Sequence, residues 1–569
     1  MLLIYPPVVR STEPPLGIAR LAGFLRSRGQ PVRLLDLNHE GLEYLLASVS
    51  PYPGMAEGQS SSRPDSLGPD PRGQTSRGQS RTDTWTRGAI HRKDRNLESL
   101  HSIETYQNLP RYSRAVGDLN RVLKTASAPF AAEASLANYS EFNRSPLRRE
   151  DLLDAAAGYR DSPYFSLFSR RIADELHHQP TGLVGLSINY LSQALPALAI
   201  LGWLAEVHPE LSRIAGGGLI TSWLAQGSLA GTDSLGGLLH ALIPGRGEDG
   251  LSAWLAKGRY SAVKPVWRGA SSLDAASLAT AGLGAGRGSG RVVNAPARAS
   301  EPDFDDFSQL AYLSPVGIIP YSFSSGCPWK RCTFCPEKAE GGQYTGLPVN
   351  GAMTQLHSLA TRYKPGLFHF TDNEIAPLYM RSLAEKSPGI HWYGFARFSK
   401  VLLDPGFCRA LAASGCRMLQ LGLESADQQV LDAMGKGTKL GEIDCILENL
   451  AKAGIGIFLY VLFGTPREDL AAARKTRDFL ASRAALIDFL NIAIFNLPIA
   501  SMEARMLATR DFYDGALSLY QDFEHPAGFN RSEVRLFISQ ELDGDSLIRE
   551  IIKRSPPVFT SNHAVFFLE

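Results

Sequence analysis

Six short apolar segments alternate with helical stretches between residues 317 and 494. They predict strands, which lie at 317–323, 366–371, 390–395, 417–422, 456–463 and 487–494. In one intervening stretch, Ile443, Ile446 and Leu450 share a helix face that ends at Gly454. Strands that alternate with helices form parallel sheets. Six such units predict a partial (β/α)6 TIM-type barrel, with its functional residues at the carboxyl ends of the strands.

A second alternation starts at the amino terminus. Apolar strands at 1–5 and 32–37 flank a stretch of helical periodicity. The pattern resumes with a strand at 182–189 and a helical stretch at 193–207. It predicts a Rossmann-like, doubly wound parallel sheet, whose ligands bind at the carboxyl ends of its strands.

These patterns divide the chain into four parts. They are a Rossmann-like domain at 1–265 with an insertion at about 50–180, a linker at 266–302, the barrel at 303–504 and a C-terminal extension at 505–569. Residues 53–95 are rich in Ser, Gly, Arg, Asp and Pro and poor in apolar residues, so we expect disorder there. The linker is rich in Ala, Gly and Ser, which favours flexibility.

The charge balance and the start of the chain restrict the class of protein. Lys and Arg number 58 and Asp and Glu number 57, so the formal net charge of +1 gives no argument for nucleic-acid binding. Pro6 and Pro7 cut the first apolar run far below the length of a signal peptide or a membrane span. We therefore expect a cytoplasmic protein without a membrane span.

Three cysteines, Cys327, Cys332 and Cys335, fall within nine residues just after the first predicted barrel strand. Three thiolates on one loop can hold three irons of a [4Fe–4S] cluster and leave the fourth iron open to another ligand. The alternative is a zinc site, but structural zinc takes four protein ligands, and no Cys or His follows until His357. The remaining cysteines lack this spacing and are interpreted as buried apolar side chains, Cys408, Cys416 and Cys445.

A three-cysteine loop after the first strand of a six-unit barrel resembles the radical S-adenosylmethionine (SAM) superfamily. The resemblance covers about residues 303–498, although four residues separate Cys327 from Cys332 where the family usually has three. It implies reductive cleavage of SAM to methionine and a 5′-deoxyadenosyl radical at a [4Fe–4S] cluster. It also implies an electron donor such as flavodoxin or ferredoxin.

The same resemblance implies which residues bind SAM at the strand ends. They are Phe334, Asp372, Asn373, Glu374, Arg397, Glu424, Ser425, Gly464 and Pro466. An Arg can form a bidentate pair with the carboxylate of SAM, and a Glu can accept hydrogen bonds from its hydroxyls. The alternative for each charged residue alone is a solvated position on the surface.

The first domain resembles the cobalamin-binding domain that precedes the barrel in one subgroup of radical SAM enzymes. The implied cobalamin-binding residues are Asn38, Ser187, Gly216, Gly217, Gly218, Gly245, Gly247 and Glu248. Glycines at strand ends let the backbone approach a large ligand closely. The Asp-x-His-x-x-Gly pattern that supplies a cobalt ligand is absent, since His39 is one residue late, so no histidine ligand is expected. The alternative is a set of ordinary turns without a cofactor.

Together the two resemblances predict an enzyme that transfers a methyl group through cobalamin to an unreactive carbon. One alternative is an oxidative cyclisation or rearrangement that uses the same cofactors. Another is a zinc- or corrinoid-binding scaffold without turnover. No cysteine precedes Cys327, which disfavours the methylthiotransferase subclass. The extension at 505–569 either closes over the barrel mouth, with His563 as a candidate catalytic group, or forms a packed tail.

Overall fold

The computed structural model describes residues 1–50, 83–256, 300–557 and 560–568. Up to residue 256 its elements are β1 (Leu2–Tyr5), α1 (Leu16–Arg26), β2 (Arg33–Asp36), α2 (Leu37–Ala47), α3 (Thr84–His91), α4 (Lys93–Ser99), α5 (Ile103–Tyr106), α6 (Leu109–Ser127), β3 (Ala132–Ala134), β4 (Tyr139–Glu141), α7 (Arg149–Ala157), α8 (Phe165–His178), β5 (Leu183–Ser187), α9 (Leu191–Val207), β6 (Ser212–Gly216), α10 (Gly218–Ala225), β7 (Ala241–Ile243) and α11 (Glu248–Ala256).

From residue 300 onward the chain continues with a second set of elements. They are β8 (Ile318–Tyr321), β9 (Ser324–Ser325), α12 (Pro336–Ala339), β10 (Thr345–Gly346), α13 (Val349–Tyr363), β11 (Leu367–Phe370), α14 (Pro377–Glu385), β12 (His391–Ala396), α15 (Pro405–Ala413), β13 (Cys416–Glu424), α16 (Gln428–Ala433), α17 (Leu440–Lys452), β14 (Gly456–Phe463), α18 (Leu470–Ser482), β15 (Phe489–Ile494), β16 (Leu497–Pro498), β17 (Thr509–Asp511), β18 (Tyr520–Phe523), α19 (Arg531–Phe537) and α20 (Ser546–Arg554).

The first sheet has five parallel strands in the order β2-β1-β5-β6-β7. Every residue of β5 is buried, which is typical of a parallel strand covered on both faces. The register sets Ser187 beside Gly216, and Gly216 beside Ile243. The carboxyl ends of neighbouring strands therefore meet at one edge, and the Rossmann-like prediction is confirmed.

The insertion is helical where the structure describes it. Helices α3 and α4 pack on α6, and Ala89 of α3 is fully buried. Asp118 of α6 accepts hydrogen bonds from Arg92 Nε at 2.8 Å and from Asn96 Nδ2 at 2.9 Å. The prediction of disorder is therefore wrong for residues 84–95, because polar side chains of this segment pair with α6. Residues 53–82 and 266–299 lie outside the described residues.

The second sheet is the predicted partial barrel. Its six strands are parallel and follow one another in the order β8-β11-β12-β13-β14-β15, with helices between them. Each strand begins and ends within two residues of the range expected from the sequence. Short, nearly continuous apolar runs explain the agreement, since a parallel strand covered on both faces is buried at successive positions.

The two sheets are joined by shared cores and by hydrogen bonds. One apolar cluster contains Leu186 of the first sheet together with Tyr393 and Met418 of the barrel. In addition, Leu313 N donates to Ser11 O at 2.8 Å. The loop after β1 therefore lies against the barrel.

The C-terminal residues pack on the base of the barrel. His563 lies in the 3₁₀ helix Thr560–Phe567, and its ring centroid is 4.9 Å from that of Phe458 and 5.0 Å from that of Phe489. Burial lowers the pKa of His563 to about 4. Because Phe458 and Phe489 are near the amino ends of β14 and β15, His563 lies opposite the end at which the cysteine loop begins. This part of the extension is a packed tail.

The cysteines outside the loop differ in exposure. Cys408 and Cys416 are buried, as predicted, whereas Cys445 is exposed. Cys445 lies on the outer side of α17, whose buried face carries Ile443 and Ile446. Its predicted burial is therefore wrong. Among the described helices, none is long and apolar enough to cross a membrane.

Candidate functional site

The cysteine loop starts from a fixed strand end. Asp372 accepts hydrogen bonds from Phe323 N at 2.9 Å, from Ser324 N at 2.8 Å and from Ser324 Oγ at 2.6 Å. Burial raises the pKa of Asp372 to about 6, and these hydrogen bonds oppose the increase. Asp372 was expected to bind SAM, and in the structure its carboxylate holds the chain that leads into the loop.

The loop is anchored a second time by the turn at 434–437. Trp329 Nε1 donates to Gly435 O at 2.8 Å, and Thr333 N donates to Met434 O at 2.8 Å. Gly435 has a φ of +65°, and a Cβ there would lie 2.7 Å from Arg331 O. This close approach requires glycine. The path of the loop is therefore set by a segment about 100 residues further along the chain.

The three loop cysteines have free thiols. Cys332 is buried, and Cys327 and Cys335 are half-buried. Burial raises the pKa of the Cys332 thiol, and the positive charges of Lys436 and Arg397 oppose it. Among the described residues, no three His, Cys, Asp or Glu side chains are grouped tightly enough to hold a metal ion. The fit to an iron–sulfur cluster rests on the donor set, which is three thiols on one loop.

Charged side chains of opposite sign surround the loop. Arg397 Nη1 lies 3.8 Å from Cys332 Sγ, and Arg397 Nε lies 3.7 Å from Glu374 Oε2. Lys436 Nζ donates to Glu424 Oε1 at 2.7 Å. Arg397 also donates to the backbone oxygen of Lys436. The structure therefore brings together Glu374, Arg397 and Glu424, three residues that were expected to lie at the strand ends and to bind SAM.

Lys436 is a site residue that the sequence analysis missed. It is 7% exposed, lies between two glycines with positive φ, and its Nζ is 5.5 Å from the ring centroid of Phe334. A lysine between Gly435 and Gly437 after a short helix is the one signal that the sequence offers. Phe334 itself is half-buried and packs on Val430 and Met434.

Three other expected SAM-binding residues differ in their burial and contacts. Ser425 is fully buried, and its Oγ accepts from Asp427 N at 3.2 Å, so the side chain is directed into the protein. Asn373 is exposed, and its Nδ2 donates to Glu337 Oε2 at 3.3 Å. Pro466 is half-buried, in the turn that follows β14.

The turn after β14 encloses a buried carboxyl group. Gly464 N donates to Glu468 Oε2 at 2.6 Å, while Glu468 Oε1 is buried without a partner. Burial raises the pKa of Glu468 to about 8. His525 of the C-terminal extension covers the turn, since its Nε2 lies 2.8 Å from Thr465 O.

The raised pKa of Glu468 predicts a stability that depends on pH. The folded protein keeps the proton up to about pH 8, whereas the unfolded chain loses it near the ordinary value of 4.5, so stability falls as pH rises between these values. We expect Glu468→Gln to remove this loss, which amounts to about 4 kcal/mol. Urea unfolding of both proteins from pH 5 to pH 9 measures it. If the free energy of unfolding changed with pH equally in the two proteins, the prediction would be contradicted.

A cavity of about 470 Å³ lies between the first sheet and the start of the cysteine loop. On one side it is lined by the strand-end residues that were expected to bind cobalamin, Ser187, Gly216, Gly217, Gly218, Gly245 and Gly247. On the other side it is lined by Ser322, Ser324, Ser325 and Thr371 of the barrel. The structure thus places the glycine turns and the barrel mouth around one space.

The inner part of this cavity is an apolar slot between the sheet and two helices. Leu3, Ile214 and Ile243 of the strands face Leu21 of α1 and Leu251 of α11. Gly217 has a φ of +104°, and a Cβ there would lie 2.4 Å from Ile188 O. The backbone at this turn is therefore restricted to glycine.

Two of the residues expected to bind cobalamin do not line the cavity. Asn38 is buried in the first turn of α2. Its Oδ1 accepts a hydrogen bond from Val9 N at 2.7 Å, so the side-chain amide fixes the loop after β1. Glu248 is the first residue of α11 and lies 3.6 Å from Arg20 Nη2 and 3.7 Å from Arg246 Nη2. Its contacts are ion pairs at the start of the helix.

Comparison with known proteins gives matches to part of the chain. Residues 321–480 match the family model of the Radical SAM superfamily. The chain is 27% identical over 171 residues to bacteriochlorophyllide d C-12(1)-methyltransferase of Chlorobaculum tepidum, covering 29% of this chain and 37% of that protein. It is 27% identical over 206 residues to the uncharacterized methyltransferase PH0819 of Pyrococcus horikoshii, covering 33% and 44%. The chain thus spans less than half of either relative.

Solved structures with a similar fold were also found. The radical SAM methyltransferase TsrM from Kitasatospora setae, solved with cobalamin and a [4Fe–4S] cluster, has a TM-score of 0.45 and 15% identity over 89% of this chain and 77% of that one. The cobalamin-dependent radical SAM enzyme OxsB has a TM-score of 0.42 and 17% identity over 73% and 56%. The match of residues 321–480 to the Radical SAM superfamily model confirms the predicted resemblance for that part of the barrel.

Proposed function

We propose that this chain is a cobalamin-dependent radical SAM methyltransferase that acts on an unreactive carbon. The observation that carries the proposal is the cavity shared by the glycine turns at 216–218 and 245–247 and by Ser325. Ser325 is only two residues before Cys327. A group bound in the crevice of the first sheet and a group bound at the cysteine loop would therefore face the same space.

The cysteine loop is suited to hold a negatively charged cluster. Cys327, Cys332 and Cys335 would bind three irons, and Arg397 and Lys436 place two positive charges beside them. Positive charge favours the thiolate form over the thiol. When bound, the cluster, SAM and cobalamin would supply an electron, a carbon-centred radical and a transferable methyl group. The electron would come from a donor such as flavodoxin or ferredoxin.

Four side chains around the loop are assigned to SAM. Arg397 would pair with the carboxylate of SAM, and Glu374 would accept from its amino group, since both lie within 4.0 Å of a loop thiol. Glu424, held by Lys436, would accept from the ribose hydroxyls. Phe334 would pack against the nucleoside.

The apolar slot supports the assignment of cobalamin to the first domain. Its aliphatic walls would bury an apolar part of a large ligand and exclude water, while the glycine turns let the backbone approach. The cavity lining contains no histidine among the described residues. His39 instead shares a hydrogen bond of 2.7 Å with Ser11 Oγ. We therefore propose that no histidine of the first domain ligates cobalt.

The names of the two sequence relatives favour methyl transfer over rearrangement, since both are described as methyltransferases. The test is anaerobic purification with iron, sulfide and cobalt analysis, followed by incubation with trideuteromethyl SAM and an extract of the host. A product three deuterium atoms heavier is expected. A modified product without label would indicate rearrangement, and a protein without iron would indicate a scaffold.

The assignment of Arg397 and Glu424 predicts weaker SAM binding without loss of the cluster. Each charge-assisted contact removed by Arg397→Ala or Glu424→Ala costs about 1.5–3 kcal/mol. Equilibrium binding of SAM to the reconstituted protein should weaken roughly 10- to 150-fold, with iron content unchanged. Arg417→Ala is the matched control, because Arg417 pairs with His391 at the amino end of β12. Wild-type affinity in both site variants would show that the assignment is wrong.

A further inference from the structure

The inner face of the barrel carries a polar pair that has no part in the cofactor sites. His369 lies on β11, two residues before Thr371, which lines the shared cavity. Residues at i and i+2 of a strand point to the same face, so His369 is directed to the inside of the barrel below Thr371. Only 9% of its side chain is exposed.

A carboxylate from the other half of the molecule fixes this histidine. His369 Nδ1 lies 2.8 Å from Glu13 Oε1 and 3.0 Å from Oε2. Glu13 belongs to the loop after β1, so the pair joins two segments 356 residues apart. Because an ionised carboxylate only accepts hydrogen bonds, Nδ1 donates to Glu13, and Nε2 lies on the side of the ring away from the carboxylate.

The orientation of the imidazole is also held by stacking. Its centroid is 4.6 Å from that of Tyr393, and the two ring planes are 3° apart. Both contacts with Glu13 involve Nδ1, so the carboxylate and the stacked ring fix the direction in which Nε2 points. An imidazole that is fixed in place can bind a polar group through Nε2 without reorganising.

A buried acceptor without a partner lies on the next-but-one strand. Gln420 is 1% exposed, its Nε2 donates to Tyr460 OH at 2.8 Å, and its Oε1 is buried with no hydrogen bond. A buried polar atom without a partner costs free energy, so it marks a position that a ligand can fill. Phe395 and Tyr460 line the same interior with half-buried rings, their centroids 5.2 Å apart.

We infer that His369 and Gln420 bind the substrate of the proposed reaction through its N–H or O–H groups. The substrate class is an apolar or aromatic body that carries such donors, with the body against Phe395 and the donors on His369 Nε2 and Gln420 Oε1. Glu13 is the positioning residue that holds the imidazole ring through Nδ1. This inference rests on the proposed function, because it places the substrate below the shared cavity.

Chemical labelling tests the histidine independently of any reaction. Diethylpyrocarbonate acylates an unprotonated imidazole nitrogen, and peptide mass spectrometry of the full-length protein reads out each histidine. We expect His369 to be modified in the folded protein despite its low exposure, and Glu13→Gln to slow this several-fold. The exposed His177 is the internal control, with equal rates in both proteins. An unreactive His369, or equal rates with and without Glu13, would overturn the inference.

Transfer of the deuterated methyl group tests whether His369 and Gln420 bind the substrate. With trideuteromethyl SAM and a host extract, His369→Leu and Gln420→Leu should each lower label incorporation at least tenfold, and His369→Gln, which keeps an acceptor, should recover part of it. His357→Gln, on the exposed face of α13, is the matched control. Equal incorporation in the wild type and His369→Leu refutes the inference. No incorporation by the wild type itself refutes the proposed function, and the labelling rates then decide the role of His369.

Discussion

Replacing Cys327, Cys332 and Cys335 together with alanine is expected to remove all cluster iron and to abolish SAM cleavage. The three thiols are the ligand set of the proposed cluster, and no other group among the described residues is arranged to take their place. Loss of a ligand set removes the cofactor itself, so the effect is larger than that of any single contact. Iron analysis, the visible absorption of the reconstituted protein and assay of 5′-deoxyadenosine measure it.

The control for this experiment is Cys445→Ala, which removes an exposed thiol that has no place in the site. It should keep the iron content and the activity of the wild type. The fold of the triple variant can be checked by thermal unfolding, since the loop is anchored through Trp329 and Thr333 without the metal. A triple variant with a full complement of iron would refute the cluster assignment.

The second large effect is expected for cobalamin binding when the shared cavity is filled. Gly218 is exposed to the cavity at the start of α10, its φ is not in the left-handed region, and a Cβ there would meet no atom closer than 3.6 Å. Gly218→Phe would therefore occupy the mouth of the slot without straining the backbone. We expect at least a 100-fold loss of cobalamin affinity, or about 2.7 kcal/mol.

Equilibrium titration with hydroxocobalamin, followed by its absorption, measures this loss. Gly218→Ala adds only a methyl group and should bind cobalamin nearly as the wild type does. Gly351→Phe makes the same change on the surface of α13, where a Cβ meets nothing within 4 Å, and controls for added surface hydrophobicity. Unchanged affinity in Gly218→Phe would show that the cavity is not the cobalamin site.

The pair Glu13 and His369 bears on how the two halves of the molecule cooperate. The loop after β1 contributes Glu13 to the barrel interior and Ser11 to a hydrogen bond with Leu313. If the substrate binds below the cavity, the first domain acts on it in two ways, through the ligand in its crevice and through the charge that fixes His369. A separate barrel would then lack part of its substrate site.

Much of the architecture can be predicted from local patterns in the sequence. Short apolar runs mark all six barrel strands, because the strands of a parallel sheet are covered on both faces. The cysteine spacing marks the loop, because three thiols within nine residues can reach one cluster. The glycines at 216–218 and 245–247 mark the cavity, because strand ends of a parallel sheet meet at one edge.

The tertiary structure decided which side chains meet. Asp372 and Ser425 lie at the expected strand ends, yet one holds the chain before the loop and the other is directed into the core. Lys436 enters the site, and Glu13 reaches His369, through contacts between distant segments. Such contacts depend on how sheets and loops pack in three dimensions. The apolar pattern of the sequence indicates whether a residue is buried, but it does not show which residue packs against it.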